Sequence, residues 1–177
     1  MTDTAALPYR PNVGIVLFNR AGLVLAGRAR NSGPEIVTPG HEWQMPQGGI
    51  DPDEEIVAAA RRELFEETNV TSVALLAIAP DTWTYDFPPY SGPPHKLDKF
   101  RGQSQRWVAL RFEGDDGEIN VLNPGGGEPA EFSAWDWFPL GELIHRVVPF
   151  KRPVYEKVHA TFAHFAAVSR YSVTRRV

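Results

Sequence analysis

The chain has 177 residues, 42% of them hydrophobic, and a formal net charge of −4. That is length enough for one domain with a proper core. The absence of cysteine excludes disulfides, zinc–thiolate centres and thiol nucleophiles, and the acidic balance argues against broad, non-specific nucleic-acid binding, with no DNA partner expected.

Met1 to Pro11 lacks the basic and then apolar pattern of a signal peptide. No apolar run approaches the ~18 residues that a membrane span needs. A soluble cytoplasmic protein with no membrane partner is therefore expected. Val13 to Phe18 and Leu23 to Gly27 are short apolar runs on either side of Asn19-Arg20-Ala21-Gly22, a turn signal, and predict a β-hairpin. Arg30 to Glu42 carries Gly, Pro and Asn without periodicity and reads as a loop. Trp43 to Pro46 reads as a short strand before Gly48-Gly49.

Asp53 to Asn69 predicts a helix, with Asp51 or Asp53 as its N-cap, Pro52 near its start and Asn69 closing it in a left-handed conformation. Val73 to Ala79 predicts a strand, Pro88 to Gly102 a loop, and Gln105 to Phe112 a second, alternating strand. After a polar loop from Gly114 to Pro129, Phe132 to Phe138 reads as a strand and Leu140 to Val147 as a short helix. Pro153 to Val168 reads as a longer helix, with Val154, Val158, Phe162, Phe165 and Ala166 near helical spacing. Trp43, Trp107, Trp135 and Trp137 are expected in the core. There is no repeat and no linker, so one domain is expected over residues 1–177. Its core spans about 9–168, followed by a flexible basic tail, about 169–177, carrying Arg170, Arg175 and Arg176. Strands interleaved with a central and a C-terminal helix predict a layered α/β architecture.

The segment that carries chemistry is Gly48 to Val70, GGIDPDEEIVAAARRELFEETNV. Glu63, Glu66 and Glu67 are spaced i, i+3, i+4, which puts them within an arc of roughly 100° on a helix. Phe65 and Ala58 point to the opposite side, with Leu64 and Val57 on one flank. A bare acidic triplet is more often a solvated stripe. Three carboxylates on one face repel one another, however, and a divalent cation with a preference for hard oxygen ligands, magnesium or manganese, removes that repulsion.

The surrounding residues favour the cation. They resemble the Nudix box, G-x5-E-x7-R-E-U-x-E-E-x-G-U, with U a bulky apolar residue. Gly48 opens it, Glu54 is its first glutamate, and Arg62-Glu63-Leu64, Glu66-Glu67 and Val70 follow in place. Asn69 stands where the box has glycine, and asparagine is the next-best residue for a left-handed helix end. Further segments, YRPNVGI from Tyr9, WQMPQGGID from Trp43, YDFP from Tyr85, RGQSQRW from Arg101, Glu131-Phe132 and PFKRPVY from Pro149, are similar to the bacterial RNA pyrophosphohydrolases and the related dinucleoside polyphosphate hydrolases.

The resemblance implies the Nudix fold, a mixed β-sheet sandwiched between α-helices. It implies magnesium, with manganese as a substitute, on Glu63, Glu66, Glu67 and Glu131, with the carbonyl of Gly48 as a further ligand. It implies hydrolysis of a phosphoanhydride, in an RNA 5′ end or alternatively in a dinucleoside polyphosphate, with Glu63, Glu67 or Glu131 as the general base. A non-catalytic binding module is the remote alternative, and the intact glutamates weigh against it. Arg10, Arg28 and Lys151 are candidate phosphate contacts. Phe150 and Tyr85 are candidate stacking faces for a base, and Gln103 and Gln105 candidate hydrogen-bonding groups. Two segments depart from the compact bacterial members: the Arg30 to Glu42 loop, which is longer and beside the approach to Gly48, and the Pro89 to Lys99 stretch.

Overall fold

The computed structural model describes residues 6–31 and 33–171. Its centre is strand β1 (Tyr9–Phe18), whose apolar residues alternate between two faces. Val13, Ile15 and Leu17 enter one core while Val16 and Phe18 enter another, as the two-residue repeat of a strand dictates. Strand β6 (Gly102–Phe112) runs parallel to β1 from Tyr9↔Gly102 to Phe18↔Arg111. It divides in the same way, with Val108 and Leu110 on the first side and Trp107 and Ala109 on the second.

Across the sheet the order is β3 (Trp43–Gln44), β2 (Val24–Ala29), β1, β6 and β5 (Val73–Asp86). Strand β4 (Gln47–Gly49) is antiparallel to β1, and β7 (Phe132–Phe138) is antiparallel to β2. On the edge away from β6, β1 thus changes partner: β4 lies along Asn12 to Gly14, and β2 meets it at Phe18. Helix α1 (Ile56–Thr68) covers the first face through Ile56, Ala59, Ala60 and Leu64. Helices α2 (Leu140–Arg146) and α3 (Arg152–Phe162) cover the second through Leu143, Val154, Val158 and Phe162. The layered α/β arrangement expected from the sequence, a mixed sheet between helices, is what forms. No helix among the described residues is long and apolar enough to cross a membrane.

Several local expectations need correction. α1 starts at Ile56, not Asp53, because Asp53 takes a left-handed backbone at φ 63° and Glu55 is the cap, accepting from the N–H groups of Val57 and Ala58. β5 runs on to Asp86, beyond Ala79, across two register shifts against β6. β1 and β6 each begin earlier than their apolar runs, at Tyr9 and Gly102, because ladder pairing with each other continues through polar residues. The long C-terminal helix is two helices, α3 and α4 (His164–Tyr171), meeting at Ala163. α4 enters the stretch expected as tail, and Arg175 and Arg176 lie outside the described residues. Only Trp107 of the four named tryptophans is fully buried, while Trp43, Trp135 and Trp137 are partly exposed. Asn69 does close α1 at φ 67°, its N–H on the carbonyl of Phe65 (2.8 Å) and its side-chain amide on that of Glu118 (3.2 Å).

Gly14 shows how tightly β1 and β6 are joined: a Cβ there would sit 2.5 Å from the Trp107 ring. Gly14→Ala should therefore lower stability by about 1–3 kcal/mol through overpacking, read as a fall in the denaturation midpoint. An unchanged midpoint would show that the ring has room to move.

Candidate active site

The turn between β4 and α1 sets the site. Asp53 reverses the chain, and the Glu54 carboxylate turns back to accept from the Asp51 N–H (3.0 Å). Two turns into α1, Arg62 reaches the same place. Its Nε and Nη2 donate to the two Glu54 oxygens at 2.8 Å each, and Nη2 also donates to the Gly49 carbonyl at 2.8 Å. Nη1 donates to Glu63 (2.7 Å) and Glu66 (3.3 Å). A guanidinium has five N–H groups, and all five are used. The hydrogen bonds from Arg62 hold the Glu54 carboxyl down at about 2, and those same bonds raise the already high pKa of Arg62.

The remaining carboxylates lie further in. Glu63 is raised above its ordinary value by burial, with Glu66 and Glu131 adding to the effect and Arg62 opposing it. A Cβ at Gly48 would meet the Glu63 carboxylate, so the glycine leaves that side chain its place against β4. Glu67 is 3% exposed and lies on the buried side of α1, between Leu64 and Thr68. Its Oε2 accepts from the Gln47 N–H (3.1 Å), while its Oε1 is buried with no hydrogen-bond partner. Burial pushes its pKa well up, and the neighbouring charges of Glu131 and Glu63 push the same way. Two ionised carboxylates can only accept, so Glu67 and Glu131 require a proton or a cation between them. Among the described residues no three acidic or histidine side chains form a ready-made coordination shell.

These carboxylates border an open cavity of about 700 Å³. Glu63, Glu66, Glu67, Glu131 and Gly48 all border it, as do Arg10, Gln103 and Lys151. Arg10 rises from β1 over Gly49, where its guanidinium fills the space a Cβ would take. Gln103 is buried on β6, with its Oε1 lacking a partner. Lys151 is 1% exposed, and its ammonium donates to Gln44 Oε1 (3.0 Å) and pairs with Glu35 Oε1 (3.1 Å).

Four residues expected at the site are not brought to the cavity wall. Arg28 is on the exposed part of β2, 3.9 Å from Glu42. Gln105 is buried and donates to Asn12 (2.8 Å) and Gln47 (2.6 Å). Tyr85 donates its hydroxyl to Glu35 (2.6 Å), and its ring packs 5.6 Å from that of Phe150. Phe150 packs against the second core.

Sequence reasoning gave Arg62 no role, although its position eight residues after Glu54 was a usable signal. It also missed Glu35, which nothing in the loop composition marks, and Gly125 and Gly126, which pack against Phe65 and Glu66 on the outer side of α1.

The NUDIX domain pattern matches residues 8–158. An RNA pyrophosphohydrolase from Brucella ovis is 52% identical over 174 residues, 94% of each chain. One from Rhodopseudomonas palustris is 53% identical over 161 residues, 91% of this chain and 95% of its own. In fold, the chain resembles an Ap4A hydrolase binary complex from C. elegans with a TM-score of 0.58 and 22% identity, over 88% of this chain and 99% of that one.

The two kinds of carboxylate predict opposite pH behaviour in metal-free protein. Glu54 is depressed from 4.5 to about 2, so its contribution is present above 4.5 and lost as the pH falls towards 2. The melting deficit of Glu54→Gln should therefore be full at neutral pH and shrink on acidification. Glu67 is raised, so the stability of its neutral form is present below 4.5 and lost as the pH rises through the raised value. Glu67→Gln should match the wild type in acid and melt higher at neutral pH. Parallel pH profiles for the two variants would contradict this assignment.

Proposed function

We propose that this chain, which belongs to the NUDIX family, is a pyrophosphohydrolase that removes pyrophosphate from 5′-triphosphorylated RNA. The observation that carries the reading is likeness along 94% of the chain to proteins named RNA pyrophosphohydrolase. The site supports it with Glu63, Glu66, Glu67 and Glu131 bordering one cavity together with Arg10 and Lys151.

The donor set fits a hard divalent cation. The unpartnered Oε1 of Glu67, the pressure of Glu131 and Glu63 on it, and the bare Gly48 backbone are what such an ion needs. Glu63, Glu66, Glu67, Glu131 and the Gly48 carbonyl would hold magnesium, with manganese as a substitute. When bound, the ion supplies charge neutralisation on phosphate oxygens and a more acidic water.

The protein supplies position and proton handling. The Arg10 guanidinium makes no hydrogen bond or ion pair among the described residues and borders the cavity, where it can meet phosphate oxygens. Gln103 offers an amide at the cavity wall. A glutamate of the cluster, Glu63, Glu67 or Glu131, takes the proton of the attacking water. Arg62 does not touch substrate in this scheme. With every N–H engaged, it fixes α1 to β4 and so fixes where the glutamates stand.

The test is a paired assay of purified protein with 5′-triphosphorylated RNA and with diadenosine tetraphosphate. The expected result is a higher kcat/KM on the RNA, loss of activity in chelator, and recovery with magnesium or manganese. A higher kcat/KM on the dinucleotide would overturn the substrate assignment. Activity in excess chelator would overturn the metal. Glu67→Gln should lower turnover on the order of 10²-fold, the scale of one well-placed electrostatic group, without loss of folded protein.

A further inference from the structure

Lys151 presents a buried ammonium at the wall of the cavity, and the structure supplies its counter-charge from an unexpected place. Glu35 stands in the Arg30 to Glu42 loop, at an isolated β-bridge. One carboxylate oxygen, Oε1, lies 3.1 Å from Lys151 Nζ and accepts from the Tyr85 hydroxyl at 2.6 Å. Gln103 borders the same cavity. The Glu35 side chain is 15% exposed and that of Lys151 2%. This is a buried pair, not a surface contact that water screens away.

The ammonium has three N–H groups. Glu35 and Gln44 take two. Among the described residues no oxygen takes the third, and the Tyr85 and Phe150 rings stand 5.4 and 6.0 Å from Nζ. A lysine in this position attracts anions in the cavity, and a carboxylate on its other side opposes that attraction. Both Glu35 and Lys151 border the cavity.

We propose that Glu35 is a specificity-determining residue that moderates the grip of Lys151 on polyphosphate, so that the cavity holds a phosphate chain without holding it too tightly. The inference rests on the reading of the cavity as a polyphosphate site. Glu35→Gln keeps the acceptor for Lys151 and Tyr85 but removes the charge. The ammonium then loses its paired carboxylate, and an anion in the cavity can take that place.

The probe is inorganic tripolyphosphate, in mildly acidic buffer with chelator so that no divalent ion contributes. Binding is measured by calorimetry and by the rise in melting temperature. Glu35→Gln should bind tripolyphosphate about fivefold or more tightly than the wild type, the scale of one charge-assisted contact. The gain should vanish when Lys151→Gln is added. Glu35→Asp, which draws the carboxylate back by one methylene, should shift binding in the same direction by less, and it serves if the glutamine variant does not fold. Equal or weaker binding by folded Glu35→Gln or Glu35→Asp overturns the inference and leaves Glu35 as a loop anchor only. If the wild type neither binds tripolyphosphate nor cleaves triphosphorylated RNA, the polyphosphate reading fails and this inference with it. If it cleaves the RNA while the variants bind no tighter, only the inference fails.

Discussion

Arg62 is the fixed point of the molecule's working end. One guanidinium ties the Glu54 turn, the Gly49 carbonyl of β4 and two carboxylates of α1 together with five N–H groups. Charge-assisted hydrogen bonds of this kind are both stronger and more directional than neutral ones. The geometry follows from spacing: Glu54 precedes the helix and Arg62 lies two turns inside it, so the side chain reaches back along its own helix to the strand. The left-handed Asp53 makes that return possible, and the glycines at 48 and 49 let the strand come close.

This clamp allows an otherwise unfavourable arrangement. Glu63, Glu66, Glu67 and Glu131 are among the acidic side chains that border one cavity, and Arg62 pairs with only two of them, Glu63 and Glu66. Glu67 is left inside, held by one backbone N–H, with an oxygen that finds no donor. Buried unpartnered charge is destabilising. The fold tolerates it because α1 is held from both sides, by the clamp and by the apolar stripe from Ile56 to Leu64. Local stability is given up where a cation is needed, and the sheet behind supplies it from two cores.

Much of this was legible in the sequence, and the limits have physical causes. The alternation in β1 and β6, the helix that ends at Asn69 and the glutamate spacing are local patterns, and local patterns survive folding. The helix starts later than its acidic lead suggests because Asp51 and Asp53 are good caps in isolation, whereas Asp53 is left-handed and Glu55 takes the N–H groups of Val57 and Ala58. Lys151 reads from the sequence as a phosphate contact. Its partner Glu35 is 116 residues away in a loop without periodicity, so no spacing could have paired them. Phe150 and Tyr85 read as stacking faces, but they stand next to each other in the second core's margin, where one ring packs on the other. Long-range pairing is what the one-dimensional pattern withholds.

The account turns on a repulsive carboxylate cluster whose relief is a divalent cation. It is tested most directly by the melting temperature of the wild-type protein as magnesium is added at constant ionic strength. Preferential binding to the folded state raises stability with ligand concentration. Melting temperature should rise saturably with magnesium, and the rise should be absent in Glu67→Gln or strongly reduced there. A flat response in the wild type, or an equal rise in both proteins, would contradict it.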